Sequence, residues 1–299
     1  MKPSSTERGS ITMMLCSVIL FAINTLLIRG AALHAPAADG WVASLFRGVI
    51  GLLVVVMIFG GRGFQPGRLF TKPLLLLRGG VGALGIIAFY VTVVHLGAGR
   101  AVIINLSYPI FGCLFAMWFL GERLSGAAWA WLAAGFAGLV LFLGGGQGFS
   151  VGRYDLLAVA GAVAAGAVVT IIRELRHTEH ASTIYASQCL GSIFLAAVPA
   201  SVPAVKLPPL AFAVMVVAAV LVSIAQLAMT QAYRQLSVAR GSAVQMLLPL
   251  VTAVGGWIFF AERYRPIELA GAALTLLATW RVVAAPAAKP RLVNSPATP

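Results

Sequence analysis

The chain has 299 residues, 60% hydrophobic and only 10% charged, with a net charge of +13 and a mean hydropathy of +0.97. A soluble domain carries about 25% charged residues, so this one lacks the polar surface to be a water-soluble globule, and its apolar content excludes disorder. The basic excess is scattered one to three residues per loop, with no basic stripe, which argues against a nucleic-acid partner and for positive loops beside a lipid bilayer.

Ten apolar runs follow in chain order, at 10–29, 40–60, 74–95, 99–120, 126–145, 154–173, 182–201, 210–233, 239–260 and 266–285. Each is near the ~20 residues that cross a hydrocarbon core. They are continuous rather than alternating, which disfavours a barrel. The expectation is an all-α membrane protein of ten transmembrane helices.

The first run, after Lys2 and Arg8, has the flanks of a signal peptide, but its length favours retention as a spanning helix. With the N-terminus inside, fourteen Lys and Arg fall in inner segments, Arg78 among them, and six in outer ones. Both termini are therefore expected to be cytoplasmic. Residues 286–299, rich in Pro and Ala, are expected to be disordered.

Cys16, Cys113 and Cys189 each lie inside an apolar run with no CxxC or Cys/His cluster, so neither a disulfide framework nor a metal site is expected, and no cofactor. HExxH and GxSxG are absent, and Tyr154-Asp155 supplies a single acid at a helix entrance, so an enzyme is not expected.

Residues 100–122 register on 240–262 at a constant offset of 140, matching Arg100 to Arg240, Pro109 to Pro249, Phe119 to Phe259 and Glu122 to Glu262, and Arg123 then falls on Arg263. This divides the chain into repeats at 10–145 and 154–285. Five spans per repeat is an odd number, so the second copy enters the membrane inverted, an arrangement of transporters with a binding site near the midplane.

Polar residues inside the spans mark candidate sites. Gln226, Thr230 and Tyr233 fall at i, i+4 and i+7 on one helix face, overlying Ile86, Tyr90 and Val93 in the repeat register. Asn105 overlies Gln245. Together they would surround a central cavity able to hold a small zwitterion, with Tyr108 and Trp257 as aromatic walls beside Phe89. Simple interhelical bonding is the alternative for each. Arg47, ~9 Å along its span from Trp41, either binds a substrate carboxylate or ties helices together, the second being favoured. Pro109 and Pro249 are either hinges or fixed kinks. His95 lies near a span end and is read as an interfacial hydrogen-bonder rather than a proton relay. Glu122-Arg123 and Glu262-Arg263 are expected to anchor helix ends. Gly79, Gly80, Gly82 and Gly85, with the pairs Ala134/Gly138 and Ala162/Gly166, permit close helix contact.

The segments GRAVIINLSYPIFGCLFAMWFLGERLSGAAWAWLAAGFAGLVLFL and ARGSAVQMLLPLVTAVGGWIFFAERYRPIELAGAALTLLA resemble the two copies of the EamA repeat of the drug/metabolite transporter superfamily. The matching features are the proline, the Glu-Arg at the helix end and the small-residue helix after it, with Arg47 also in pattern. Ala22-Ile23-Asn24 stands where the family often has a tryptophan. The resemblance spans residues 10–284 and includes the YddG-type amino acid exporters. It implies an inner-membrane exporter of small-molecule substrates, amino acids (aromatic or other neutral) foremost, acting as monomer or homodimer. The lack of a central acid or histidine leads to the expectation of a facilitator working by alternating access. The alternative is a multidrug or organic cation exporter coupled to protons.

Overall fold

A computed structural model describes residues 5–61, 63–105, 107–120, 126–144, 151–175, 178–232, 244–245 and 247–284. Its elements are α1 (Ser5–His34), α2 (Gly40–Phe59), the short α3 (Arg68–Thr71), α4 (Pro73–Leu96), α5 (Ala98–Asn105), α6 (Tyr108–Leu120), α7 (Gly126–Gly144), α8 (Arg153–Leu175), α9 (Ala181–Val205), α10 (Pro209–Ala232), α11 (Leu247–Phe260) and α12 (Pro266–Ala284). Among the described residues there are no strands, and seven helical stretches are long and apolar enough to cross a membrane. Tyr233, Glu122, Arg123, Arg240 and the tail 286–299 lie outside the described residues.

Local chemistry sets the boundaries. Pro73, Pro209 and Pro266 open α4, α10 and α12, where a missing N–H costs nothing and φ is already helical. The Asp39 carboxylate accepts the Val42 N–H at 2.8 Å and caps α2. Gly97, at φ +90°, turns α4 into α5, a backbone that favours glycine. The fourth apolar run, expected as one kinked helix, is instead two segments in series. Ile104 O accepts the Ser107 N–H at 3.1 Å and closes α5. Pro109 is the second residue of α6, within the first turn, where proline is tolerated rather than disruptive. Its repeat counterpart Pro249 is the third residue of α11.

Packing is symmetric between the halves. α1 packs on α10 as α8 packs on α4; α6 meets α8 as α11 meets α1; α4 meets α9 as α10 meets α2. α2 pairs with its counterpart α9, and α7 with its counterpart α12. Glycines let backbones approach closely: a Cβ on Gly138 would stand 2.7 Å from the Thr275 nitrogen, and one on Gly79 would stand 2.6 Å from the Ser187 carbonyl oxygen. Large apolar side chains such as Met57, Trp118, Phe194 and Val205 point outward, as lipid contact requires.

Arg78, counted above with the inner loop charges, belongs inside the bundle. It is the sixth residue of α4 and is 2% exposed. Removing it leaves thirteen inner against six outer basic residues, so the loop asymmetry survives.

Candidate functional site

A cavity of about 170 Å³ lies between the two halves. Its wall is mostly aliphatic and aromatic, with polar groups contributed by α1 (Asn24, Thr25), α2 (Arg47), α4 (Arg78), α5 (Asn105), α6 (Tyr108), α9 (Gln188), α10 (Gln226) and by Gln245 just before α11.

The polar groups form connected pairs. Arg47 donates from Nη1 to Tyr90 OH at 3.1 Å and from Nη2 to Gln226 Oε1 at 3.0 Å, with its guanidinium carbon 5.9 Å from the Tyr90 ring centre. Tyr90 OH donates to Asn24 Oδ1 at 3.1 Å, and Asn24 Nδ2 donates to the Ala218 carbonyl at 2.9 Å. This chain of bonds ties α2, α4 and α1 of the first half to α10 of the second. Arg78 donates from Nη2 to Gln188 Oε1 at 2.8 Å. Tyr108 OH donates to Gln245 Oε1 at 3.0 Å.

Of the residues singled out from sequence, Arg47, Asn105, Tyr108, Gln226 and Gln245 line this cavity, as does Phe89. Tyr90 stands one layer behind, fully buried and orienting Arg47. Thr230 donates to its own helix, to the Gln226 carbonyl at 2.7 Å, and does not line the cavity. Trp257 is a correction: it is 65% exposed on the outer surface. Gly255 and Gly256 take the inward positions of α11, against Leu26 and Glu262, which turns Trp257 outward, where indole suits a membrane boundary. Arg78, Asn24 and Gln188 line the cavity without having been anticipated.

The cavity is off-centre. Ile172 lies one turn from the end of α8, and Arg78 about 8 Å from the start of α4 at 1.5 Å per residue. Both ends belong to the face that carries Glu179. There, burial pushes the Glu179 carboxyl up, but hydrogen bonds and charge from Lys72 and Arg68 outweigh it and hold the group below the usual carboxylate range. Arg68 Nη1 is 3.0 Å from Glu179, and Lys72 also pairs with it.

The opposite face is closed by acids that each hold a helix N-terminus. Glu262 accepts the Ala98 and Gly99 N–H groups of α5 at 2.8 and 3.1 Å and the Tyr264 hydroxyl at 2.8 Å, with Arg29 at 3.9 Å. Asp155 accepts the Gly152 N–H at the head of α8, and Glu268 the Arg265 N–H at the head of α12. Arg100 joins both, Nε to Asp155 at 3.0 Å and Nη1 to Glu268 at 3.2 Å. This latch takes residues from both halves. His95 is exposed there, stacked 4.0 Å from the Tyr154 ring, with Nδ1 on the Val91 carbonyl.

Among the described residues, no group of three His, Cys, Asp or Glu side chains is placed to hold a metal ion.

An apolar bundle of two symmetrically packed halves around a polar-studded cavity is the architecture of a multi-pass membrane transporter. The sequence model of the EamA-like transporter family matches residues 8–144 and again 152–284, and the chain belongs to that family. It is 28% identical over 269 residues to the pseudopaline exporter of Pseudomonas aeruginosa, covering 86% of this chain and 90% of that protein. It is 28% identical to a riboflavin transporter of Rhizobium johnstonii, covering 93% and 91%. It is 29% identical to a probable terminal-alkyne amino-acid exporter of Streptantibioticus cattleyicolor, covering 77% and 80%. A solved crystal structure superposes with a TM-score of 0.64 over 95% of this chain and 97% of its own at 18% identity, which shows a shared fold. The protein is a multi-pass membrane transporter of that family.

Proposed function

We propose that the chain crosses the membrane ten times as two inverted five-span repeats, residues 10–145 and 154–285, with both termini cytoplasmic, and exports amino-acid-type metabolites by alternating access. The observation that carries this reading is the cavity between the halves, displaced toward the Glu179 face, with the Arg100–Asp155–Glu268 and Glu262 contacts joining the halves on the other. With the Glu179 face cytoplasmic, the cavity lies nearer the inside, where it loads. Substrate sits among Arg47, Asn105, Tyr108, Gln226 and Gln245. The outer contacts break as the inner end closes, with Pro109 and Pro249 taking up the change in angle.

Transport is facilitated, down the substrate's own gradient. None of the described carboxylates, Asp39, Asp155, Glu174, Glu179, Glu262 and Glu268, lines the cavity, and Arg47 stays charged over the useful pH range. The protein acts as a monomer or homodimer. The test is counterflow in proteoliposomes with a panel of labelled amino acids, with and without a pH gradient. Exchange independent of that gradient is expected. Uphill accumulation driven by the pH gradient alone and lost on His95→Gln would replace the facilitator with a proton antiporter.

A further inference from the structure

Two guanidiniums share the cavity, and neither has an acidic partner among the described residues. Arg47 is 4% exposed and Arg78 2%. Arg47 leaves Nε without a hydrogen bond; Arg78 leaves both Nε and Nη1 without one. Among the described residues their partners are neutral: Tyr90 and Gln226 for the first, Gln188 for the second. A buried ion needs a counter-charge and a full set of hydrogen bonds to offset its lost hydration. Here three guanidinium nitrogens on two cations have no hydrogen-bond partner among the described residues, in a wall otherwise made of neutral amides, hydroxyls and hydrocarbon.

The space for Arg78 is built into the fold. Its Nη1 lies where a Cβ at position 82 would collide with it, and its Nη2 donates to Gln188 Oε1. The charge is therefore held in the cavity wall. The two arginines come from α2 and α4, so a ligand reaching both is held at two points by the first half while Gln226 and Gln245 face it from the second.

Resting on the exporter reading above, we propose that the cavity selects a net-negative substrate with two carboxylates, an amino-dicarboxylic acid or a larger molecule built like one, with one carboxylate on Arg47 and the other on Arg78. A carboxylate accepts from guanidinium donors in a planar, charge-assisted contact. Two such contacts give each guanidinium a counter-charge. A cation is repelled by the same pair, and a neutral amino acid leaves one arginine without a partner.

The test uses the full-length purified protein in proteoliposomes, with labelled L-glutamate and L-2-aminoadipate against L-glutamine, L-phenylalanine and tetraethylammonium. At least one of the two acids is expected to exchange tenfold or more faster than glutamine, which differs from glutamate only by an amide in place of the second carboxylate. Arg78→Gln is expected to abolish that preference while residual glutamine exchange persists. Arg78→Lys, which keeps the charge, is expected to retain part of it, so a folding defect is told apart from lost recognition. Glutamine exchanging as fast as both acids, or a preference unchanged in Arg78→Gln, overturns the proposal. Phenylalanine exchange without either acid also overturns it while leaving the exporter reading standing. No exchange of any amino acid overturns both.

Discussion

Thr275 lies 140 residues after Gly135 and meets it: the Thr275 hydroxyl is 3.5 Å from the Gly135 carbonyl oxygen. That separation equals the offset registering the two sequence copies. A Cβ on Gly135 would touch Ala278 Cβ at 3.3 Å, and one on Gly138 would stand 2.7 Å from Thr275 N. Since 135 maps to 275 and 138 to 278, each residue touches the counterpart of the other, the signature of an isologous contact about a two-fold axis. The α7–α12 pair thus carries the repeat symmetry at the level of single residues.

Filling this contact is costly. Gly138→Leu drives a side chain into the α12 backbone and is expected to destabilise the protein by about 1–3 kcal/mol. Thermal unfolding in detergent should show the loss, with Gly126→Leu, which meets open space, as the neutral comparison.

Sidedness follows from the ion pairs. Lys206 lies between α9 and α10 on the latch face, and Gly61 just after α2 on the Glu179 face; both are exposed. In a cysteine-free background, Lys206→Cys should react with an impermeant maleimide on intact cells and Gly61→Cys only after permeabilisation. The reverse pattern would invert the proposed topology.

The Glu179 cluster makes stability pH-dependent. Its carboxyl titrates below the usual range in the folded protein. The contribution is fully present above the ordinary carboxylate pKa and is lost as pH falls through the lowered folded value. The melting-temperature advantage of wild type over Glu179→Gln should hold at neutral pH and shrink on acidification. An advantage constant from pH 8 to pH 4 would mean the pairs with Arg68 and Lys72 contribute nothing.

Gln226 and Gln245 face the cavity from the second half. Replacing either by Ala removes one hydrogen bond to substrate and should weaken counterflow by about 1–3 kcal/mol, roughly 5- to 150-fold, with a lowered melting temperature from the buried donor each leaves behind. Gln226→Ala also frees Arg47 Nη2. Trp257→Leu, on the outer surface, should leave transport as it is.

The helical runs were legible because a membrane span must be long and apolar. The cavity positions of Asn105, Gln226 and Gln245 were legible because amides are scarce in these runs and two of them register on each other. Arg78 was not. It follows Lys72 by six residues and reads as one more loop charge; only the approach of α9 to Gly79 encloses it. Trp257 was misplaced because α11 is apolar on every face, so its sequence does not say which side turns inward. The break after Asn105 was missed because proline signals a disturbance in a helix without saying whether it bends or ends there.

No described side chain of α7 or α12 lines the cavity, and α7 packs chiefly on α12. The last helix of each repeat therefore stands beside the transport path as a paired post. Sequence drift on its outer surface alters how the protein sits among lipids or neighbouring subunits without rewriting what it carries. The same post is the place to attach a rigid fusion or a binding protein for imaging, because a handle there leaves the loading chamber untouched.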